Sequence, residues 1–398
     1  MRKFIFFLAF LFIFISVNFA WSATIVGNQT WAIVANYYER TISTINLSTD
    51  PPTVYGPFLS GQLGDNDTYL LDVVVTSDGH YALVTNFVEE KVYFIDLSNP
   101  TNPSLAGSVD IGFRAEDIAI TPDNKYALVT DGSGIQQIAL IDISSMSLKT
   151  TYTLSDNLTA TCVATNGNLV VICAYDNNSL IYGQFDPDNV ISSENIITTN
   201  RPINATFSPD GQTLLVANAL NASISVFQAS GSTITPGTPS TIGVPDYPQS
   251  IAFSPDGTKA YLVSVGPSLD NLSWLQINGP GNVSLGEAGV AELLSDVNGY
   301  LYGVDVLAIT PDGNYALAGN PNVDDSGNSD NVSLINLSDF SVTSINTNTQ
   351  YPTGIAVFQR YNPTPSLPVP TLTEWGMIIL SLLLAVSAFL FVRKFKNS

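Results

Sequence analysis

One histidine in 398 residues is the first constraint. It is His80, next to Asp78-Gly79 in what reads as a turn, so no Ser-His-Asp set can be assembled around a second imidazole. The sequence also lacks HExxH, the Cys/His spacings of a zinc site and a Gly-rich phosphate loop. It has two cysteines, Cys162 and Cys173, and their spacing excludes a CxxC redox motif. Basic residues are scarce, 13 Lys and Arg against 34 Asp and Glu, for a net charge of −21. Such a surface repels nucleic acid and anionic headgroups, so no nucleic-acid partner is expected. No cofactor is expected either. Part of the acidity is turn chemistry, since Asp and Asn build turns.

What the sequence has in quantity is a repeat. The stretch from Asp117 to Asp142 contains D-I-A-I-T-P-D-N-K-Y-A-L-V-T-D, and relatives begin at Asp72, Asn204, Ser250 and Val306. A weaker copy surrounds Asn166-Gly167, and a truncated one surrounds Trp31. Each copy reads as strand, tight turn, strand. Pro sets φ, Asp caps its own backbone and Gly accepts positive φ. A third run follows at Val92 to Leu97, Ile138 to Ile143 and Val332 to Leu337, and a less regular fourth precedes the next copy. The turn positions Gln29, Gly79, Asn124, Gly167, Gly211, Gly257 and Gly313 lie 43 to 56 residues apart. Four strands at that period predict an all-β, seven-bladed β-propeller over residues 23–360. Thr353 to Phe358 matches the innermost strand but has no hairpin partner after it, so Ile355 to Phe358 should complete the first blade. Closure removes an unpaired sheet edge.

Ser-Pro-Asp-Gly at 208–211 and 254–257, Thr-Pro-Asp-Gly at 310–313 and Y-A-L-V-T-N at 81–86 resemble the YVTN-type β-propeller repeat proteins of bacterial and archaeal cell surfaces. Seven-bladed lactonases and cyclases share the architecture, and fold alone does not choose among activities.

Both ends point to export. Arg2 and Lys3 precede an apolar run to Val17, and Ala20-Trp21-Ser22 supplies a cleavage site, so residues 1–22 read as a signal peptide. At the other end a Pro-rich spacer, 361–370, leads to an apolar run whose span 375–392 suits a short membrane helix, followed by Arg393-Lys394-Phe395-Lys396. The basic end should stay cytoplasmic and the propeller outside. The segment V-P-T-L-T-E-W-G, helix and basic tail resemble the IPTL-type C-terminal sorting domain, although Val369 stands where Ile is usual. The resemblance implies that Pro370, Thr371, Leu372, Glu374, Trp375 and Gly376 are read by an exosortase-like sorting enzyme, and that the tail is exchanged for another surface attachment.

Aligning the copies places Tyr69, Arg114, Asn157, Arg201, Tyr247 and Tyr351 just before the innermost strands, with Tyr302 beside Gly303. They should ring one mouth of the central channel, with Asp72, Asp117 and Asp305 just inside. Tyr faces and Arg forks suit a glycan, a peptide or a carboxylate-bearing ligand. The bland alternative is a tyrosine shelf whose arginines pair with Glu116 or Asp117. Cys162 aligns by sequence with Ala119, Ala252 and Ala308, and Cys173 with Thr85 and Thr130. The two either form a cross-strand disulfide in an oxidising compartment or remain buried thiols. Asp324, Asp325 and Asp330 could wrap a cation weakly, but no bidentate Glu follows at the required distance. The expectation is a monomeric, non-enzymatic binding or structural module whose partner is a surface protein or polysaccharide. The alternative is a lactonase-like envelope enzyme.

Overall fold

The inner half of the repeat builds nearly identical hairpins. Gly79, Asn124, Gly211, Gly257 and Gly313 sit at φ between 57° and 71°, and Gly167 at 87°. Each of the first five donates its N–H to the carbonyl three residues back, at 2.7–2.8 Å. The hydroxyl at that same residue reaches the turn aspartate, Thr76 to Asp78 at 2.6 Å and Ser254 to Asp256 at 2.6 Å. At Gly79 the constraint is double, because a Cβ would also stand 2.5 Å from the Gln359 carbonyl oxygen. Gln29 departs from the expectation. It is no turn residue but the first residue of a strand.

The structure, a computed structural model, describes residues 28–65, 68–155, 158–219, 221–265, 271–287, 291–293, 306–319, 331–347 and 352–360. These residues are all-β, without a helix. In chain order the first sheet holds β1 (Gln29–Asn36), β2 (Thr41–Asn46) and β3 (Thr53–Phe58). The next is β4 (Leu70–Val75), β5 (Tyr81–Asn86), β6 (Lys91–Asp96) and β7 (Ser104–Asp110). Then follow β8 (Ala115–Ile120), β9 (Tyr126–Asp131), β10 (Gln137–Asp142) and β11 (Ser147–Thr153), and after them β12 (Cys162–Thr165), β13 (Leu169–Ala174), β14 (Ser179–Asp186) and β15 (Val190–Thr198). A larger sheet contains β16 (Pro202–Phe207), β17 (Thr213–Asn218), β18 (Ser223–Ser230), β19 (Thr233–Gly243), β20 (Tyr247–Phe253), β21 (Lys259–Val265), β22 (Asn271–Gly279), β23 (Asn282–Leu285) and β24 (Ala291–Glu292). Its two four-stranded halves, β16–β19 and β20–β23, are joined by the single pair Thr238–Asn282, and β24 adds a short pairing to β22. The last sheet is β25 (Leu307–Ile309), β26 (Tyr315–Gly319), β27 (Asn331–Asn336) and β28 (Val342–Asn346).

The final strand, β29 (Pro352–Arg360), returns to the beginning. It pairs antiparallel with β1 from Gln29–Arg360 to Asn36–Pro352 and completes the first sheet in the order β29-β1-β2-β3. Its Gly354 lies against β4, where a Cβ would come within 3.0 Å of the Asp72 and Val73 backbone. Innermost strands pack beside one another in sequence, β29 on β4, β4 on β8, β8 on β12, β12 on β16, β16 on β20, β20 on β25, and β25 back on β29.

The core lies between sheets. Middle strands are buried on both faces, as in β13 and β17, whereas outer strands such as β7 alternate exposed and buried residues. Phe94 and Phe113, both fully covered, join the second sheet to the third. Leu317 and Val332 of the last sheet pack on Val34 and Ile45 of the first. Each large apolar side chain so buried contributes roughly 1.5–3 kcal/mol. Residues Gln29–Arg360 form one compact unit.

Candidate functional site

Tyr69, Arg114, Arg201 and Tyr247 stand at the leading ends of β4, β8, β16 and β20, as the alignment predicts. Asn157, Tyr302, Tyr351 and Asp305 lie outside the described residues, as do Asp324, Asp325, Asp330, the 1–22 leader, the 361–370 spacer and the 371–398 tail with its sorting residues.

The rim has a built order that the alignment missed. The partner of Tyr69, Arg114 and Arg201 is in each case the aromatic that follows the second strand of the preceding sheet. Tyr69 stacks on Tyr37, with ring centroids 4.6 Å apart and planes 15° apart, and Tyr38 meets both edge-on. The Arg114 guanidinium lies 5.2 Å from the centre of the Phe87 ring. The Arg201 guanidinium lies 5.2 Å from the centre of the Tyr175 ring, and Arg201 takes a φ of 53° to place it there. Stacking holds one face of each guanidinium while both side chains remain exposed. Ion pairs among the described residues are Lys91–Asp110, Lys125–Asp123 and Lys149–Asp188, so neither rim arginine is taken up by Glu116 or Asp117. The recoverable signal was an aromatic just past three of the strands that leave the turns, at Tyr37, Phe87 and Tyr175.

In the third sheet that aromatic is replaced by Gly132. Phe87 and Glu116 both border the space this leaves. A Cβ on Gly132 would stand 2.8 Å from Glu116 Oε2 and 2.5 Å from Phe87 Cε2. Burial first, then the charges of Asp131 and Asp176, push the Glu116 carboxyl up to about 8. It is therefore largely a neutral acid at pH 7, although part of its surface still meets solvent.

Asp72 and Asp117 have a different place. Both are buried, at 0% and 3% exposure. Asp117 Oδ1 accepts from its neighbour Ile118 N–H at 2.9 Å, and Oδ2 accepts from Val163 N–H of the next sheet at 2.6 Å. Asp72 accepts from Val73 and Ile118 N–H in the same way, at 2.7 and 3.2 Å. Asn204 Oδ1 takes Ile251 N–H at 3.1 Å. These side chains bind sheet to sheet.

Cys162 occupies the equivalent position, opposite Cys173. Val163, the next residue, is the structural counterpart of Ile118, so Cys162 replaces Asp117 and not Ala119. The sequence alignment slipped because this hairpin is two residues short, Val163 pairing with Ile172 where Ile118 pairs with Val129. A disulfide joins Cys162 and Cys173, with Cα atoms 4.9 Å apart. It stands where Asp72 and Asp117 instead receive Thr85 and Thr130 hydroxyl oxygens at their N–H groups.

A cavity of about 450 Å³ opens at the other, turn-bearing end of the inner strands. Val74, Ile120, Phe207 and Pro122 line it, with Asn166 and Asp210 at its edge. No group of three or more His, Cys, Asp or Glu among the described residues is arranged to hold a metal. Among them, too, no helix is long and apolar enough to cross a membrane.

Residues 368–394 match the IPTL-CTERM motif. No curated protein is detectably similar to the chain. Among solved structures, a functionally unknown protein from Desulfotomaculum acetoxidans is similar at 19% identity and a TM-score of 0.69, over 82% of this chain and 98% of that one. The periplasmic gluconolactonase PpgL of Pseudomonas aeruginosa is similar at 13% identity and a TM-score of 0.61, over 83% and 99%. The Cps50 (Swd1) β-propeller domain of Myceliophteria thermophila is similar at 10% identity and a TM-score of 0.56, over 74% and 93%. The body of the chain has a β-propeller fold of four-stranded antiparallel sheets, and its C-terminal end carries an IPTL-CTERM motif.

Proposed function

We propose that this chain is an exported, seven-bladed propeller displayed on the cell surface, where the Tyr/Arg rim binds a ligand without chemical turnover. Counting the two halves of the large sheet separately supports seven blades, with β29 closing the first. Export rests on the IPTL-CTERM motif, a sorting signal, together with the signal-peptide character of residues 1–22. The transmembrane span 375–392 would hold the chain until a sorting enzyme exchanges it.

The observation that carries the binding reading is the pair of stacked arginines, Arg114 on Phe87 and Arg201 on Tyr175. In a protein of net charge −21, two exposed guanidiniums immobilised on rings at one channel mouth form a preorganised anion-recognising surface. Alanine replacement of both tests it. Loss of attachment to native envelope material with the fold intact supports rim binding, and unchanged attachment refutes it. A lactonase-like enzyme is the alternative, and Glu116, an acid kept protonated beside the rim, favours it. Lactone turnover abolished by Glu116→Gln would establish that reading instead.

A further inference from the structure

The rim names a ligand more specific than an anion. Two features meet at the Arg114 position, and a third stands elsewhere on the rim. A guanidinium is held over Phe87 at 5.2 Å with its donor fork open to solvent. The Glu116 carboxyl and the edge of the same ring both border the space that Gly132 leaves. Exposed tyrosine faces occur at other rim stations, Tyr38 at 48% and Tyr247 at 52% exposure. An open guanidinium fork matches the two oxygens of a carboxylate. A neutral carboxyl adds an O–H donor, which a carboxylate or a hydroxyl accepts. Flat aromatic faces with a hydroxyl at one end receive the apolar faces of pyranose rings while the sugar hydroxyls stay wet.

We propose that the Arg114–Glu116 station is a subsite for a hexuronate residue. The sugar carboxylate accepts from the Arg114 fork and from the Glu116 O–H, and the ring lies toward the neighbouring aromatics. This inference rests on the binding reading above and specifies its ligand. The second stacked arginine, Arg201 on Tyr175, repeats the guanidinium half of the station. Repetition around one mouth favours a chain of uronate units over a free sugar acid. Gly132 is the residue that builds the subsite. A ring at 132, of the kind that Tyr37, Phe87 and Tyr175 place there in three other sheets, would expel the carboxyl.

The geometry carries a pH signature. Glu116 faces Asp131 and Asp176, and Arg114 lies two residues before it, just ahead of β8. With its carboxyl pushed up to about 8, Glu116 loses its proton between pH 6.5 and 9. Arginine keeps its charge across that interval, a uronate is ionised throughout, and burial with its neighbours Tyr38 and Tyr69 raises Tyr37 above the ordinary tyrosine value. A fall in affinity over that window therefore reports Glu116.

The test uses the full-length protein in detergent and isothermal titration with oligogalacturonate, free galacturonate and a neutral cello-oligosaccharide. Expected are binding of oligogalacturonate at pH 6.5, at least tenfold weaker binding of the monomer and the neutral chain, and a further tenfold loss at pH 9. Glu116→Gln, which keeps a neutral donor, should bind at both pH values alike. Arg114→Ala and Gly132→Tyr should each lose at least tenfold, with circular dichroism unchanged. Equal affinity for neutral and acidic chains, or a wild-type pH profile that Glu116→Gln reproduces, overturns the hexuronate subsite. If the neutral chain binds and Arg114→Ala and Arg201→Ala abolish it, rim binding stands and only the hexuronate fails. If no sugar binds, the hexuronate subsite is overturned, and attachment to envelope material then decides the rim reading by itself.

Discussion

Replacing Asp117 by alanine should be among the most damaging single changes in this fold. Its carboxylate is buried and accepts two backbone N–H groups, Ile118 at 2.9 Å on its own sheet and Val163 at 2.6 Å on the next. Hydrogen bonds to a charged group contribute roughly 1.5–3 kcal/mol each, and Val163 N–H would be stranded in a dry interface while Ile118 N–H would keep only its longer bond to Asp72 Oδ2. The expected loss is about 3–5 kcal/mol. Asp117→Asn keeps one acceptor oxygen, as Asn204 does naturally toward Ile251, and should cost only about 1–2 kcal/mol. Ser250 occupies the same ring position, but its buried hydroxyl has no partner among the described residues. Ser250→Ala should therefore stay within about 1 kcal/mol of wild type. Urea unfolding followed by the fluorescence of Trp31 and Trp274 measures all three. An Asp117→Ala cost below about 1 kcal/mol, or one equal to that of Ser250→Ala, refutes the sheet-to-sheet role.

Other outcomes follow from the same contacts. Replacing Cys162 and Cys173 together by serine opens a short cross-link of sequence separation 11 and should lower stability by about 2–3 kcal/mol in the same urea assay, an effect that reductant should mimic. Acid should weaken the turns. The Ser254 hydroxyl, then Thr258, hold the Asp256 carboxyl below its ordinary 3.8, and the Ser144 hydroxyl, then the Ser145 N–H, do the same at Asp142. Their stabilisation is present above about pH 4 and is lost as pH falls below it, which an acid titration by circular dichroism would register. Glu116 has the opposite sign. Its raised value favours the folded state fully below about 4.5, and that contribution is lost as pH rises toward 8. Glu116→Gln should thus match wild type at pH 4 and exceed it at pH 9 by something on the order of 2 kcal/mol, measured by urea unfolding at both pH values.

The turns were legible because Pro-Asp-Gly carries its own mechanism, and the closing strand because Thr353 to Phe358 had no hairpin partner. The register of Cys162 was not, since two residues missing from the hairpin shift its first strand by two and leave the second in place. Asp72 and Asp117 looked like channel carboxylates because their copies align. Only the packing of adjacent inner strands reveals that backbone N–H groups occupy them. Arg114 and Arg201 were visible as a rim, but their ring partners belong to the preceding sheet and lie 27 and 26 residues earlier. Gly132 carried the subtlest signal, a ring that is missing where the sheets before and after it have Phe87 and Tyr175.

The central claim is a closed ring whose last strand completes its first sheet. Thr30 and Gln359 face each other across β1 and β29. The Thr30 N–H and carbonyl are spent on Ser48 and Leu47, on the far side, so the pair is of the close, non-hydrogen-bonded kind that accepts a disulfide. In a Thr30→Cys, Gln359→Cys double variant, peptide mapping should recover the 30–359 cross-link alongside the native 162–173 bond. Free thiols at 30 and 359, or a cross-link that appears only between molecules, would contradict the ring.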